Sequence, residues 1–305
     1  MQLRISRISD IANKGIAVNR YLLTASIISA FAAASAAHAE ANPFGYSYTA
    51  DVEEPGETEL ALWATDRRGK GDGHYDAQDY RLEVERGITD RFQIAGYANF
   101  ASHHVRDLGP DKDRIDRDFA FQGLSLELKY KLLDDRKDGF GLAVYAEPGW
   151  SRIHKVEGEK GTEYELELKL IASKSWMDGR LVWAGNLTFE PEWEREREEI
   201  APGNLDSSWE NELKLEATTG LAYRFARNWR AGVEARYASV YPDWTDGMHR
   251  DAYAIFAGPT ISFDKDEWSA SLTFLPQIAG GPGSGTRNFD EYEKREVRLK
   301  ISHEF

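Results

Sequence analysis

Apolar residues recur at every second position from residue 57 to the end of the chain, and this period constrains the fold more than any other feature. In EYELELKL, residues 163–170, tyrosine and leucine alternate with Glu163, Glu165, Glu167 and Lys169. Successive side chains of a β-strand point to opposite faces, whereas a helix repeats every 3.6 residues. The pattern therefore predicts strands with one apolar face and one ionic face.

The alternation recurs in about twelve segments whose connections alternate in length. The segments begin near residues 57, 75, 92, 119, 139, 162, 180, 208, 229, 251, 268 and 292. Short turns, such as 177–179, alternate with long links, such as 102–118 and 191–207. Bacterial outer-membrane barrels combine short periplasmic turns with longer outer loops. The sequence thus predicts an all-β fold, a transmembrane antiparallel up-and-down β-barrel of about 12 strands over residues 57–305.

A soluble barrel shows the same two-residue period, but its apolar side chains point inward and its charged ones outward. Other features must therefore distinguish a soluble barrel from a membrane barrel. Aromatic residues gather near predicted strand ends, where interfacial girdles are expected; they are Trp63, Phe92, Phe100, Phe119, Trp150, Trp183, Phe189, Trp209, Tyr223, Trp229, Trp268 and Phe274. The last strand alternates up to a terminal Phe305, which resembles the signal that barrel-assembly machinery recognises, although His303 departs from it. We therefore expect the outer membrane of a Gram-negative bacterium, with outer-membrane lipid, lipopolysaccharide and the barrel-assembly machinery as partners.

The N-terminus has the pattern of an export signal over residues 1–39. A basic region precedes an apolar stretch at 21–36, and an A-x-A motif places cleavage between Ala39 and Glu40. An uncleaved N-terminal anchor is the alternative. Residues 40–56 alternate only weakly, which predicts either a periplasmic N-terminal segment or a plug in the lumen.

Composition excludes several classes of function. The chain has no cysteine, so thiolate metal sites and cysteine nucleophiles are absent. A net charge of -14 makes nucleic acid an improbable partner.

The ionic rows must face the lumen, because a charge facing lipid at the midplane costs ~2 to 4 kcal/mol. Their acidic and basic members are mixed enough to form ion pairs across strands. The predicted lumen-lining residues are Arg81, Glu83, Glu85, Glu127, Lys129, Glu163, Glu165, Glu167, Lys169, Glu210, Glu212, Lys214, Glu216, Arg230, Glu234, Arg236, Arg298 and Lys300.

One stretch resembles a known class of envelope protein. Residues 57–66 (ETELALWATD), 80–91 (YRLEVERGITDR) and 92–100 (FQIAGYANF) resemble the opening strands of proteobacterial outer-membrane barrels of a transporter-like type. The match centres on Glu85, Gly87, Thr89, Asp90 and Arg91. Some members of that class accompany aromatic-degradation operons, which implies a small hydrophobic or aromatic solute. The resemblance implies no catalytic or binding residues.

Residues that could support catalysis or metal binding are sparse. Ser102, His103 and His104, with Asn99 nearby, are the nearest approach to an outer-membrane phospholipase arrangement, but the spacing of that family is absent. The two adjacent histidines form a weak metal motif without a defined carboxylate partner. We expect no enzyme activity, no metal and no cofactor.

Three functions are compatible with this sequence. The first is a narrow channel or transporter for small solutes, with a mild preference for cations or neutral solutes because the lumen rows are net acidic. The second is a closed structural or partner-binding barrel without a pore. The third is an outer-membrane lipid hydrolase.

Overall fold

The computed structural model describes residues 41–71, 73–108, 113–195, 198–201, 204–206, 208–282 and 285–305. The predicted signal peptide and its cleavage junction at Ala39 and Glu40 lie outside the described residues. Within the described part of the chain, no helix is both long and apolar enough to span a membrane.

The described residues form fourteen strands and one short helix, α1 (Asp135–Asp138), in the connection that follows the fourth strand. The strands are β1 Thr58–Arg68, β2 His74–Thr89, β3 Phe92–Leu108, β4 Asp113–Leu133, β5 Gly141–Ile153, β6 Lys160–Trp176, β7 Leu181–Arg195, β8 Glu198–Ala201, β9 Asn204–Asp206, β10 Trp209–Ala226, β11 Trp229–Pro242, β12 Ala252–Lys265, β13 Trp268–Gly281 and β14 Arg295–Glu304.

Twelve of these described strands close into an antiparallel barrel, in the order β1-β14-β13-β12-β11-β10-β7-β6-β5-β4-β3-β2. Each wall strand pairs with its neighbour along the chain, and β1 pairs with β14 to close the ring. Strands β8 and β9 form a separate hairpin between β7 and β10. The predicted up-and-down barrel of about 12 strands is therefore confirmed.

Two of the predicted long links are shorter than expected. Strands β3 and β4 extend to Leu108 and from Asp113, so they occupy most of the predicted link 102–118. The predicted link 191–207 contains the end of β7 and the β8–β9 hairpin. In both places backbone pairing continues beyond the point where the apolar alternation has ended.

The barrel has an apolar exterior and a polar interior. Large apolar side chains on its outside are widely exposed, among them Leu187 at 62% and Val233 at 60%. Charged side chains of the opposite face are buried, and they reach one another across the interior: Arg81 on β2 contacts Glu147 on β5, three strands away. This is the distribution of transmembrane barrels, since an apolar belt of this extent is unfavourable in water.

Trp63 corrects the predicted aromatic girdle. Its side chain is buried on the inner face and donates a hydrogen bond from Nε1 to Glu83 at 2.7 Å. Leu62 and Ala64, its neighbours in β1, occupy the outer face instead. The sequence position near a strand end was compatible with either face, and only the phase of β1 decides it.

The exterior makes a prediction about stability in lipid. Leu187→Arg places a charge near the middle of β7, facing outward, and we expect it to destabilise the barrel in lipid vesicles by ~2 to 4 kcal/mol. Glu210→Arg, at an exposed position at the start of β10, should change stability by no more than ~0.5 kcal/mol. Equilibrium unfolding in vesicles measures both. Equal effects of the two substitutions would contradict a lipid-facing β7.

Candidate functional site: the lumen and the segment within it

Residues 41–56, called the N-terminal segment below, lie inside the barrel against the inner face of the wall. Their backbone N–H groups donate to side chains on four different strands: Glu234 of β11, Asn186 of β7, Ser173 of β6 and Gln93 of β3. These strands lie around more than half of the ring. Only a segment within the lumen can contact all four.

Glu234 forms the densest set of contacts with the segment. Its carboxylate accepts hydrogen bonds from three successive backbone N–H groups, those of Gly45 at 2.8 Å, Tyr46 at 2.9 Å and Ser47 at 3.0 Å. The hydroxyl of Thr273 donates a fourth at 2.7 Å. Glu234 is only 2% exposed. Successive amides that converge in this way form an anion-binding concavity, which compensates a carboxylate removed from water.

The wall next to Glu234 is built from small residues that leave room for Phe44. This ring is fully buried against Val182, Ala184 and Ala222. Gly220 pairs with Glu234 across β10 and β11, and a Cβ atom at Gly220 would lie 2.6 Å from the Phe44 ring. Because such a distance is far shorter than a van der Waals contact, the segment can dock here only if residue 220 lacks a side chain.

Cationic side chains of the wall cover the tyrosines of the segment. The guanidinium carbon of Arg298 lies 4.0 Å from the centre of the Tyr46 ring, and its Nη1 donates to the carbonyl of Gly45 at 3.0 Å. The ammonium of Lys169 lies 4.7 Å from the Tyr48 ring. Cation–π contacts of this kind contribute roughly 0.5 to 2 kcal/mol each, and more where water is excluded.

Ion pairs cross the remaining interior. Arg236 pairs with Glu216 on the adjacent strand and with Glu296 at 2.6 Å, three strands away on β14. Lys214 pairs with Glu192 at 2.5 Å. The pairs of Arg236 with Glu296 and of Arg81 with Glu147 join strands three apart, the others join adjacent strands, and together they narrow the lumen.

The predicted lumen-lining residues fall into two groups. Most have their side chains on the buried or half-buried inner face, namely Arg81, Glu83, Glu85, Glu127, Lys129, Glu163, Glu165, Glu167, Lys169, Glu212, Lys214, Glu216, Arg230, Glu234, Arg236, Arg298 and Lys300. Glu210 is exposed, because it is the second residue of β10 and lies at the end of that strand.

Several inward residues were not anticipated from the sequence. Glu147, Glu190, Glu192 and Glu296 are buried and face the lumen. Around Glu147 both faces of β5 carry apolar or small residues, so no alternation distinguishes the inner face. The neutral side chains that bind the N-terminal segment, such as Asn186 and Gln93, carry no charge signal at all.

The lumen is also obstructed at the end where the longer loops lie. The loop between β5 and β6 folds inward: the Tyr75 hydroxyl donates to the carbonyl of Val156 at 2.9 Å, and Arg117 donates to that of Gly158 at 2.8 Å. Arg67 contacts the Lys155 carbonyl and pairs with Glu293 at 2.8 Å. This end, called the long-loop end, is therefore narrowed by backbone that is anchored to the wall.

The residues considered for hydrolysis and metal binding do not converge. Ser102 donates to Gln78 at 2.6 Å, and His103 donates to the Lys155 carbonyl at 3.1 Å. His104 contacts Asp116 at 2.6 Å, while Asn99 accepts from Arg81 at 3.0 Å. Among these described side chains no serine contacts a histidine, and the two histidines have separate partners.

At the opposite end of the barrel, called the short-turn end, acidic side chains crowd together. Glu53 of the N-terminal segment, Glu57 and Glu304 bring carboxylate oxygens within 4.8 Å of one another. Burial, together with the negative charges of Glu59, Glu304 and Glu57, raises the pKa of Glu53 to about 8 against the opposing effect of Lys129.

Comparison with known proteins identifies the family. A model described as a family of unknown function, DUF6662, matches residues 36–305. The chain belongs to this family. A search of curated proteins found no match.

Solved structures share the barrel with this DUF6662 chain. The COG4313 outer membrane channel from Pseudomonas putida F1 has 12% sequence identity and a TM-score of 0.55, over 87% of this chain and 100% of that one. The NanC porin has 14% identity over 80% and 98% of the two chains, with a TM-score of 0.44. The first likeness is one of fold alone, and the second is too low to support an argument.

The position of Glu53 makes the docking of the N-terminal segment dependent on pH. A docked Glu53 holds its proton more tightly than an undocked one, whose ordinary pKa is 4.5. Docking is therefore strongest at or below pH 4.5 and weakens as the pH rises towards about 8. We expect hydrogen exchange of the Gly45 to Ser47 amides, corrected for intrinsic rates, to accelerate over this range.

Glu53→Gln should abolish this pH dependence, because the amide has no charge to bury. Glu54→Gln, at the exposed neighbouring position, is the matched control and should behave as the native chain does. If Glu53→Gln kept the native pH profile, the carboxyl of Glu53 would not control docking.

Proposed function

We propose that this DUF6662 protein is an outer-membrane channel for small polar solutes, with a mild preference for cations or neutral solutes, and that its N-terminal segment is a removable plug. The apolar exterior and the predicted export signal support the outer membrane as its location. Polar and charged side chains, rather than a continuous apolar core, occupy the interior. This supports a conduit over a purely structural barrel.

The way the N-terminal segment is held is the observation that carries this proposal. Between residues 41 and 55 the described wall contributes side chains, and no backbone hydrogen bond joins this stretch to a wall strand. The segment is thus not a thirteenth strand. Its departure would break a limited number of side-chain contacts and leave every ladder of the barrel intact, which is what a plug requires.

The preference for cations follows from what the segment covers. Its departure uncovers the carboxylate of Glu234, the oxygen acceptors of Asn186, Ser173 and Gln93, and the cations Arg298 and Lys169, in a lumen whose charged rows are net acidic. Oxygen acceptors and a negative charge favour cations and neutral hydrogen-bond donors over anions. The polar surface gives no support to the hydrophobic or aromatic solute that the sequence resemblance implied, and that solute stays a prediction.

A closed structural barrel is the second candidate, because specific contacts favour it. The ion pairs of Arg81 with Glu147 and of Arg236 with Glu296 join wall strands to one another, and both partners of each pair belong to the wall. If they alone block the lumen, the segment is a fixed part of the core rather than a plug.

Single-channel conductance in planar bilayers distinguishes the two. We expect the native chain to be silent or to open rarely, and a variant lacking residues 42–55 to show discrete steps with a cation-selective reversal potential. Gly220→Val should act in the same direction without any change in lumen charge, because its side chain would occupy the space of the Phe44 ring.

Gly96→Val is the matched control, since an added side chain at this outward position meets no atom within 4 Å. It should leave conductance as in the native chain. If the deletion variant inserts and stays silent, the barrel is closed by its ion pairs and the channel proposal fails. Anion-selective steps would overturn the stated preference.

A further inference from the structure

Three buried glutamates converge on the wall near the short-turn end. Glu83 and Glu85 lie on β2 and Glu127 lies on β4, and their carboxylate oxygens are within 4.8 Å of one another. The register explains how they meet: Ala95 of β3 pairs with Glu85 on one side and with Glu127 on the other. Because Ala95 carries only a methyl group, the two longer side chains can close over it.

Two of the three carboxylates are held in place by neutral donors. Glu83 accepts hydrogen bonds from Trp63 Nε1 at 2.7 Å and from the Tyr97 hydroxyl at 2.8 Å. Glu127 accepts from Gln93 Nε2 at 2.9 Å and also contacts the Tyr97 hydroxyl. Donors of this kind fix the orientation of a carboxylate without removing its charge, as outer-sphere partners do around metal ligands.

Glu85 differs from the other two. It is 8% exposed and makes no hydrogen bond or ion pair with any described residue, although its carboxylate lies beside those of Glu83 and Glu127. An uncompensated buried carboxylate is costly, so such a group usually has a cation, a proton or a metal ion as partner. Glu85 is therefore a position at which a proton or a bound cation would be stabilised.

The basic residues nearby do not balance this half of the lumen. Lys300 lies 3.6 Å from Glu83, but it also lies 3.5 Å from Glu59. Lys129 is buried on the same face, and its single charge is shared among Glu53, Glu85 and Glu127. The acidic side chains in this half of the lumen are Glu53, Glu57, Glu59, Glu83, Glu85, Glu127 and Glu304. These carboxylates outnumber the two lysines, so protons or bound cations must balance the remaining charge.

A small acidic cavity lies at the short-turn end. It is lined by acidic side chains, among them Glu53, Glu59, Glu267 and Glu304. Glu53 is in turn one of the charged neighbours of Glu85. Acidic walls of this kind concentrate cations at this end of the barrel.

We propose that Glu83, Glu85 and Glu127 bind one divalent cation of the hard, oxygen-preferring class, Ca²⁺ or Mg²⁺, with water completing its coordination. Oxygen ligands from carboxylates and water are those that both ions prefer. The site also contacts the plug through one side chain: Gln93 donates to Glu127 and accepts from the backbone N–H of Glu53 at 3.0 Å. A bound cation thus stabilises the arrangement in which the N-terminal segment is docked. The site does not depend on whether the barrel conducts.

The test uses Tb³⁺, which replaces Ca²⁺ at oxygen sites and becomes luminescent when a nearby indole is excited. Trp63 supplies that indole, since its Nε1 lies 2.7 Å from Glu83. We expect the refolded full barrel to give saturable Tb³⁺ luminescence that Ca²⁺ or Mg²⁺ abolishes by competition. Calorimetric titration with Ca²⁺ alone should give a stoichiometry of about one.

Glu85→Gln should weaken binding at least ~10-fold, because loss of a ligand costs no less than loss of an outer-sphere partner. Glu163→Gln, in a separate group of carboxylates with Glu165 and Glu192, is the matched control and should bind as the native chain does. If Glu85→Gln does not refold, Glu127→Gln tests the same site. Refolding is judged by heat-modifiable migration on gels.

Two results would overturn the site. Absence of saturable Tb³⁺ and Ca²⁺ binding by the folded native barrel at both pH 6 and pH 8 would mean that protons alone balance the glutamates. Equal loss of binding in Glu85→Gln and Glu163→Gln would mean that cations associate with the acidic lumen without a defined site. Neither result bears on conductance, so the channel proposal would stand or fall separately.

Discussion

A ring of twelve strands encloses more space than wall side chains alone can fill, and the structure depends on how this space is occupied. Eight-stranded barrels are just filled by their own side chains, whereas much larger ones hold water. Here the interior holds long ionic side chains and a part of the same chain. Every polar group placed there must find a partner, because an unpaired one costs roughly 1 to 3 kcal/mol.

Glu234 shows how this requirement links the wall to the N-terminal segment. The buried carboxylate needs hydrogen-bond donors. The backbone N–H groups of Gly45 to Ser47 need acceptors, because they do not pair with a strand. Each satisfies the other inside the lumen. Small wall residues, above all Gly220, provide the space in which this can occur. The segment and the wall are therefore complementary in both shape and hydrogen bonding.

The sequence was sufficient to predict the strands of the wall, but it did not predict the contacts inside the lumen. Alternation such as that of residues 163–170 predicts the strands and their two faces, because a strand places neighbours on opposite sides whatever its tertiary context. The N-terminal segment gives no comparable signal. Many of its contacts join residues more than a hundred positions apart, such as Tyr46 and Glu234. They are individual hydrogen bonds, which leave no periodic pattern in the sequence.

Charge alone was likewise an incomplete guide to the candidate sites. It identified Glu83, Glu85 and Glu127 as lumen residues, yet their convergence depends on the register of β2, β3 and β4 and on the small size of Ala95. Glu147 lies in a strand where both faces carry apolar or small residues, so its inward direction had no sequence signal.

The central claim, that the N-terminal segment occupies the lumen and can leave it, is tested most directly by chemical accessibility. The chain has no cysteine, so Ser47→Cys introduces a single thiol at a position that is 1% exposed. We predict slow labelling by a water-soluble maleimide in lipid vesicles, and labelling near the rate of an Asp90→Cys turn control once Glu234→Ala is added. Rapid labelling of Ser47→Cys alone would contradict the claim that the segment is docked. Slow labelling in both backgrounds would contradict the claim that it can leave.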